Sequence, residues 1–189
     1  MQTESIRDRS AVLIPLFLAV IATLWWPGLS VFFSLDDLGF LMKSTGIDTS
    51  PFGLRRLLSV RLFFGAAWRL FGDRPLPYHL VILLIHAVNG ALVYLLALRL
   101  GMKRAAAAAG ALLFVSSFAA FTPMHWISGI QDVSMTMFAL LAVLLYLGKG
   151  ASTLAACLVS ATAAILCKES SVLLLPGCAL LLPAPRRRR

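Results

Sequence analysis

The fold is decided by AVLIPLFLAVIATLWWPGLSVFFSLDDLGF, residues 11–40 of the chain. Residues 11–33 form an almost uninterrupted apolar run, and a membrane-spanning helix needs about 20 such residues. Two adjacent carboxylates, Asp36 and Asp37, follow this run directly, although the whole chain has only 8 acidic residues. The stretch therefore predicts a first membrane span with an aspartate pair at its far end, close to the membrane surface.

The composition is that of a membrane protein. Hydrophobic residues make up 60% of the 189 residues and charged residues 13%, whereas soluble domains average about 45–50% and about 25%. We therefore expect an all-α, polytopic transmembrane helix bundle of about six spans in a single domain. The apolar runs place spans at 11–33, 78–98, 105–121, 127–147, 151–167 and 170–183, with an outer loop that carries interfacial helices at 34–77.

The formal net charge of +9 has a different origin from that of a nucleic-acid-binding protein. Four of the positive charges are Arg186–Arg189, and many others flank the apolar runs, as topology signals do. The chain contains no basic, aromatic-interleaved soluble module. Membrane lipids are therefore expected partners, and nucleic acid is not.

The basic residues also predict an orientation. With the N-terminus in the cytoplasm, 10 of the 17 basic residues fall on the cytoplasmic side and 7 on the outer side. A cleaved signal peptide is the alternative for residues 11–33, but its apolar core would be about 7–15 residues long and followed by a small-residue cleavage site. We predict a multi-pass protein of the bacterial inner (plasma) membrane, with the aspartate pair on the outer face.

The aspartate pair has two interpretations. A carboxylate beside lipid is costly unless it is solvated or paired, which makes Asp36 and Asp37 candidate site residues. Either carboxylate could act as a general base on an acceptor hydroxyl or help to hold a metal. Alternatively, the pair is solvated and caps the helix that follows, where negative charge suits the helix dipole.

Further charged candidates fall on the same predicted side of the membrane. Arg55 and Arg56 either grip a phosphate or contact lipid headgroups. Asp132, inside an apolar run, either lines a pocket or forms a structural salt bridge, for which an arginine of the interfacial segment is one candidate partner. Lys168 and Glu169 are either simple interface charges or a phosphate contact in which Glu169 orients Lys168.

The histidines are weaker candidates. His79 and His86 lie seven residues apart and share a helix face, with Asn89 one turn further on, which is not the spacing of a helical metal pair. They either bond a neighbouring helix or reach the pocket, and His125 is a second pocket candidate. The three cysteines show no metal-binding spacing and are expected to be small apolar packing residues. Neither a metal nor another cofactor is predicted for the chain.

Several motifs occur together in an order that resembles a known family. After the aspartate pair come Phe71-Gly72-Asp73-Arg74-Pro75 and a Tyr-His-Leu motif that continues to His86 and Asn89. A Pro-x-His-x-x-x-Gly-x-x-Asp motif covers Pro123–Asp132, and Cys-Lys-Glu-Ser covers Cys167–Ser170. In these motifs the chain resembles the membrane glycosyltransferases of the GT-C type, close to the protein O-mannosyltransferase-like group.

The resemblance implies a polytopic enzyme that takes a sugar from a polyprenyl-phosphate carrier on the outer face of the membrane. It implies that an aspartate of the first outer loop acts as the base or positions the acceptor. That role maps onto Asp36 or Asp37, with a slight preference for Asp37. The basic residues of the outer face would hold the lipid phosphate, and the lipid-linked sugar donor is a substrate in a reaction that inverts the sugar and uses no metal.

The resemblance also implies more spans than this chain contains. The chain is therefore expected to be the N-terminal half of such an enzyme, with a partner subunit or a C-terminal half supplying the rest. The alternative is a non-catalytic membrane module or assembly subunit derived from such an enzyme. A transporter or flippase would need broken helices in two matching repeats, and only the Pro-Gly pair at 176–177 interrupts a span in that way.

Overall fold

The computed structural model describes residues 15–49, 54–173 and 176. Within these residues the chain is helical and contains no β-strand, which confirms the predicted all-α class. The predicted span at 170–183 is described only in part, and Arg186–Arg189 lie outside the described residues. The helices are α1 (Pro15–Ser30), α2 (Leu35–Ser44), α3 (Phe63–Phe71), α4 (Pro75–Arg99), α5 (Arg104–Ser116), α6 (Phe121–His125), α7 (Ile130–Tyr146) and α8 (Ala151–Cys167).

Two helical stretches are long and apolar enough to cross a membrane. They are α4, with mean hydropathy 2.3, and Ile127–Tyr146, which contains α7 and has mean hydropathy 1.6. Each of two bent pairs adds one span if it crosses as a unit: α1 with α2, which meet at 82°, and α5 with Phe118–His125, which meet at 41°. The described part of the chain thus contains two to four candidate spans, and the predicted number is not confirmed.

Local chemistry explains both bends. The last turn of α1 is a tight 3-10 turn over Trp26–Ser30 that contains a proline, and the chain then extends until Ser34 caps α2. At the other bend, Ser117 adopts an extended backbone (φ −62°, ψ 136°) and ends α5. Its hydroxyl accepts a hydrogen bond from the Ala119 amide at 3.3 Å, which starts a new helical turn. A hydropathy average registers neither break.

Helix α4 lies between α5 and α7 and is bonded to both. His86 Nε2 donates to the Val115 carbonyl of α5 at 3.2 Å, and Asn89 Nδ2 donates to the Val133 carbonyl of α7 at 2.9 Å. From α1, Trp25 Nε1 also donates to the Val115 carbonyl, at 3.2 Å. In an apolar bundle, such bonds each stabilise helix association by roughly 0.6 kcal/mol on average and fix how the helices are rotated.

Gly90 sets how closely these helices approach. A Cβ atom at this position would lie 2.5 Å from Val115 Cγ1 and 3.1 Å from Phe17 Cδ2. Both neighbours are fully buried. The absence of a side chain at Gly90 is therefore what lets α1 and α5 pack against α4, as small residues commonly do between membrane helices.

The predicted outer loop at 34–77 contains α2, α3 and a π-helical segment, Leu57–Leu62, directly before α3. Tyr78 at the start of α4 anchors it: the phenol donates to the Gly72 carbonyl at 2.9 Å. The Tyr78 ring also meets Phe33 and Phe71 edge-on, at centroid distances of 5.3 and 5.7 Å. The position of these helices at the membrane interface stays a prediction.

Candidate functional site

The two adjacent aspartates differ sharply in environment. Asp37 is 1% exposed. Its Oδ2 accepts a hydrogen bond from the Ser34 amide at 2.8 Å, while the Ser34 hydroxyl accepts from the Asp37 amide, which together form a capping box at the start of α2. Its Oδ1 accepts a hydrogen bond from the Ser128 amide at 2.5 Å, in the turn before α7. Asp37 therefore joins α2 to the beginning of α7.

Asp36 is exposed on the first turn of α2. Its carboxylate makes no hydrogen bond or ion pair within the described ranges 15–49 and 54–173. Of the two aspartates, Asp36 is thus the one with oxygens available to a ligand, while the oxygens of Asp37 are already used by backbone amides.

A charged cluster forms where α8 ends. Glu169 accepts a hydrogen bond from Arg55 Nη2 at 2.9 Å. Arg56 binds the same carboxylate with two nitrogens, Nε at 3.1 Å and Nη2 at 3.0 Å. The Arg56 hydrogen bonds, with those of the Glu169 backbone and Arg55, lower the pKa of Glu169 to about 2. The Glu169 side chain is 42% exposed, so solvent screens the stability that these pairs supply.

The backbone around Arg56 is unusual. Arg56 has φ 52° and ψ 31°, the left-handed region that side chains other than glycine rarely adopt. The π-helical segment Leu57–Leu62 follows at once, and π-helical turns are frequent at functional sites. The Ser59 hydroxyl of that segment donates to the Cys167 carbonyl at the end of α8, at 2.5 Å. This bond holds the two arginines against Glu169.

Asp132 and Lys168 complete the charged cluster, which comprises Arg55, Arg56, Asp132, Lys168 and Glu169. Lys168 Nζ lies 2.5 Å from Asp132 Oδ1 and ties the end of α8 to the first turn of α7. Sequence reasoning named an arginine as the candidate partner of Asp132, and the structure gives Lys168 instead. Likewise, Glu169 binds the two arginines rather than orienting Lys168. The cluster therefore contains three cations, each paired with a carboxylate.

The two candidate histidines of this end bond to main-chain carbonyls. His79 is 1% exposed and lies 3.1 Å, through Nε2, from the Val31 carbonyl. His125 Nδ1 lies 2.9 Å from the Phe121 carbonyl, and its ring stacks on Phe121 at 4.1 Å. A carbonyl can only accept, so these contacts place a proton on each bonded nitrogen. The geometry gives both histidines structural contacts, and their predicted binding role stays a prediction.

A cavity of about 400 Å³ opens beside the charged cluster, between α4, α5 and the start of α7. Asp132 lines it, and so do groups that sequence reasoning did not single out, Thr122 and Thr136 among them. Thr136 lies one helical turn after Asp132, so the i, i+4 spacing was the signal that could have found it. No group of three or more metal-ligating side chains occurs in the described part of the chain.

The structure brings the predicted site residues to one end of the bundle. Asp37 contacts the turn before α7, and Asp132 lies on the first turn of α7. His79 lies near the start of α4, and Lys168 and Glu169 follow the end of α8. Such an all-helical bundle with long apolar helices is typical of an integral membrane protein.

Comparison with known protein families identifies the family of this membrane protein. The family model described as dolichyl-phosphate-mannose-protein mannosyltransferase matches residues 58–189. The chain belongs to this family, which makes it a membrane glycosyltransferase of the GT-C type. No curated protein and no solved structure matches the chain. The matched region begins after Arg56, so the aspartate pair and Arg55 lie ahead of it.

Proposed function

We propose that the protein moves a sugar from a polyprenyl-phosphate carrier to an acceptor on the outer face of the membrane. The observation that carries the proposal is the charged end of the bundle. There, a chain of the mannosyltransferase family has three cations, and the same end carries the exposed carboxylate of Asp36, which no basic side chain holds in the described part of the chain. A phosphate and an acceptor hydroxyl are the two groups that such a combination suits.

The cations provide the phosphate-binding part of the proposal. Arg56 already grips a carboxylate with two nitrogens, and the same fork geometry suits phosphate oxygens. Lys168 and Arg55 each hold a carboxylate oxygen within 2.9 Å. In the proposed complex the phosphate of the carrier takes these contacts, and the cations stabilise the negative charge that builds up on the leaving phosphate.

Asp36 provides the general base. The acceptor oxygen attacks the anomeric carbon of the sugar, and its proton passes to the Asp36 carboxylate. The bond from the anomeric carbon to the phosphate oxygen breaks, and the electron pair leaves with polyprenyl phosphate. Attack from the face opposite the leaving group inverts the anomeric centre. Asp37 is a positioning residue, because its bonds to Ser34 and Ser128 fix the first turn of α2.

The proposed reaction takes place at the outer face of the membrane. The excess of basic residues on one side of the predicted spans supports a cytoplasmic N-terminus and an outward-facing charged end. The bacterial inner membrane is the proposed setting, and membrane lipids surround the bundle. A second membrane subunit or a C-terminal half is proposed to close the other side of the site.

The test is sugar transfer in membranes that contain the full chain. Radiolabelled mannose on polyprenyl phosphate is supplied, and label that becomes water-soluble or protein-bound is counted. Asp36→Asn removes the base and should lower transfer by about 10²- to 10⁴-fold. The matched control is Asp48→Asn, in the turn after α2, where Asp48 lies 3.9 Å from Lys43. Full activity of the Asp36→Asn variant would refute the assignment of the base.

A further inference from the structure

A second cavity, of about 350 Å³, lies between the end of α2 and the helical segment that leads into α3. Two arginines of that segment and of α3, Arg61 and Arg69, line it, and Ser44 at the end of α2 forms the facing wall. No member of the charged cluster is among the described residues that line this cavity. It is therefore separate from the cations that we assign to the phosphate of the sugar donor.

Gly65 leaves the space between the two arginines open. It lies four residues after Arg61 and four residues before Arg69, so the three residues follow one another along one side of the helix. The two arginines are about 12 Å apart along the helix axis. A side chain at Gly65 would stand between them, whereas glycine lets both long side chains turn toward the same space.

The two guanidinium groups lack a counter-charge in the part of the chain that the structure describes. Both arginines are exposed, and neither makes a hydrogen bond or an ion pair with a described residue. The nearest carboxylate in sequence, Asp73, lies beyond the end of α3 and lines a different cavity. The Ser44 hydroxyl already donates to the Leu41 carbonyl at 3.0 Å. Because arginine only donates hydrogen bonds, this cavity selects an anionic occupant.

Exposed apolar side chains beside the arginines favour a lipid over a free anion. Leu62 lines the cavity and is 54% exposed, and Leu70, next to Arg69, is 75% exposed. Trp68, on the other side of Arg69, is exposed as well. Helices that lie in a membrane surface combine arginine with exposed leucine and tryptophan in this way. An acidic headgroup with an acyl chain contacts both kinds of side chain, whereas a free phosphate contacts only the arginines.

We infer that this cavity binds the phosphate headgroup of an anionic phospholipid of the surrounding membrane, held by Arg61 and Arg69. The planar guanidinium fork matches phosphate oxygens. The headgroup occupies the cavity, and the acyl chains extend past Leu62. The bound lipid holds α2 and α3 at the membrane surface. This goes beyond the proposed function, because the lipid is a structural ligand that the reaction does not consume.

The experiment measures lipid binding to the full chain, purified in neutral detergent, by native mass spectrometry. Phosphatidylglycerol and phosphatidylcholine with the same acyl chains are titrated separately, and inorganic phosphate is added as a competitor. Arg61→Gln and Arg69→Gln each remove one guanidinium, while Gly65→Leu keeps both charges and places a side chain in the cavity. Arg74→Gln, at an exposed arginine that does not line the cavity, is the matched control. Melting temperatures are recorded for all variants.

Phosphatidylglycerol should bind more tightly than phosphatidylcholine, whose choline cation is repelled by the arginines. Arg61→Gln and Arg69→Gln should each weaken phosphatidylglycerol binding about fivefold, the contribution of one arginine near an anionic lipid. Gly65→Leu should weaken it at least as much. Arg74→Gln should bind like the wild type, and so should Lys168→Met, which alters the charged cluster.

Four results would overturn the lipid site. Equal weakening by Arg74→Gln and Arg61→Gln would show a diffuse surface charge. Wild-type affinity of Gly65→Leu, at an unchanged melting temperature, would show that the cavity is not occupied. Displacement of phosphatidylglycerol by equimolar inorganic phosphate would show a site for free anions. Weakening by Lys168→Met would place the headgroup in the charged cluster. None of these results depends on sugar transfer, so the proposed function stands or fails separately.

Discussion

The charged end of this protein holds carboxylates in two different ways. Asp37 is buried, and its oxygens accept hydrogen bonds from the Ser34 and Ser128 backbone amides. Glu169 is 42% exposed and is held by the side chains of Arg55 and Arg56. Backbone amides cannot move to another ligand without unfolding their turn, whereas arginine side chains can exchange one anion for another. The comparison therefore separates a structural carboxylate from an exchangeable one.

The proposed function uses both kinds of contact. The bonds of Asp37 keep the first turn of α2 in place, so that Asp36 stands at a fixed position. In the proposed function, the partly exposed contacts of the charged cluster give way to the phosphate of the substrate. Four predictions test this division, in order of decreasing expected effect on free energy.

The largest effect is expected from Asp37→Ala. The substitution removes half of the capping box and leaves the buried Ser128 amide without a partner. The free energy of unfolding should fall by about 2–4 kcal/mol, from loss of the cap together with an unpaired buried amide. Chemical unfolding in detergent, followed by helical circular dichroism, measures it. Asp36→Ala is the matched control and should cost under about 1 kcal/mol; equal losses would erase the distinction between the two aspartates.

Lys168→Met tests whether a cation of the charged cluster binds the lipid phosphate. A charge-assisted hydrogen bond contributes about 1.5–3 kcal/mol, so polyprenyl phosphate should bind about 10- to 100-fold more weakly. Stability should change by under about 1 kcal/mol, because the lost pair with Asp132 is partly exposed. Lys149→Met, in the turn between α7 and α8, should bind the lipid like the wild type. The division between the two regions fails if Lys168→Met unfolds the protein but leaves its lipid affinity unchanged.

Sequence reasoning reached the all-α class, the membrane setting and the family, because these depend on composition, long apolar runs and motif order. It slightly preferred Asp37 to Asp36 for the role of the base, but it could not show that Asp37 is the buried one of the two. The partner that distinguishes them, Ser128, lies 91 residues further along the chain, and no local pattern shows it. The sequence did not predict Lys168 as the partner of Asp132 for the same reason. The packing of α7 on α8 brings the two side chains together. The number of spans depends on bends at Ser34 and Ser117, which a hydropathy average does not detect.

The close packing of helices at Gly90 is a second fixed contact of the bundle. Gly90→Ala places a methyl group against Val115 and Phe17, and overpacking of this kind costs about 1–3 kcal/mol. Gly110→Ala is the matched control on α5, where an added methyl meets nothing within 4 Å and alanine should stabilise the helix by up to about 1 kcal/mol. The two melting temperatures should therefore move in opposite directions. A tolerated Gly90→Ala would mean that the helices are not held at this spacing.

The smallest effect is expected from Glu169→Gln. Its pKa is lowered from 4.5 to about 2, so the stability gained from its arginine contacts is fully present above pH 4.5 and is lost as the pH falls through about 2. Because the side chain is 42% exposed, the gain at pH 7 should be below about 1 kcal/mol. Melting temperatures of the wild type and the variant should differ slightly at pH 7 and converge toward pH 2.

The affinity of the Glu169→Gln variant for polyprenyl phosphate also distinguishes the two kinds of carboxylate. Glutamine carries no charge to compete for Arg55 and Arg56, so polyprenyl phosphate should bind a few times more tightly to Glu169→Gln than to the wild type at pH 7. The corresponding change at the buried carboxylate, Asp37→Asn, exposes no cation and should not tighten binding. If both variants bound the lipid equally, Glu169 would be a structural carboxylate like Asp37, and the cations that it holds would not be available to a phosphate.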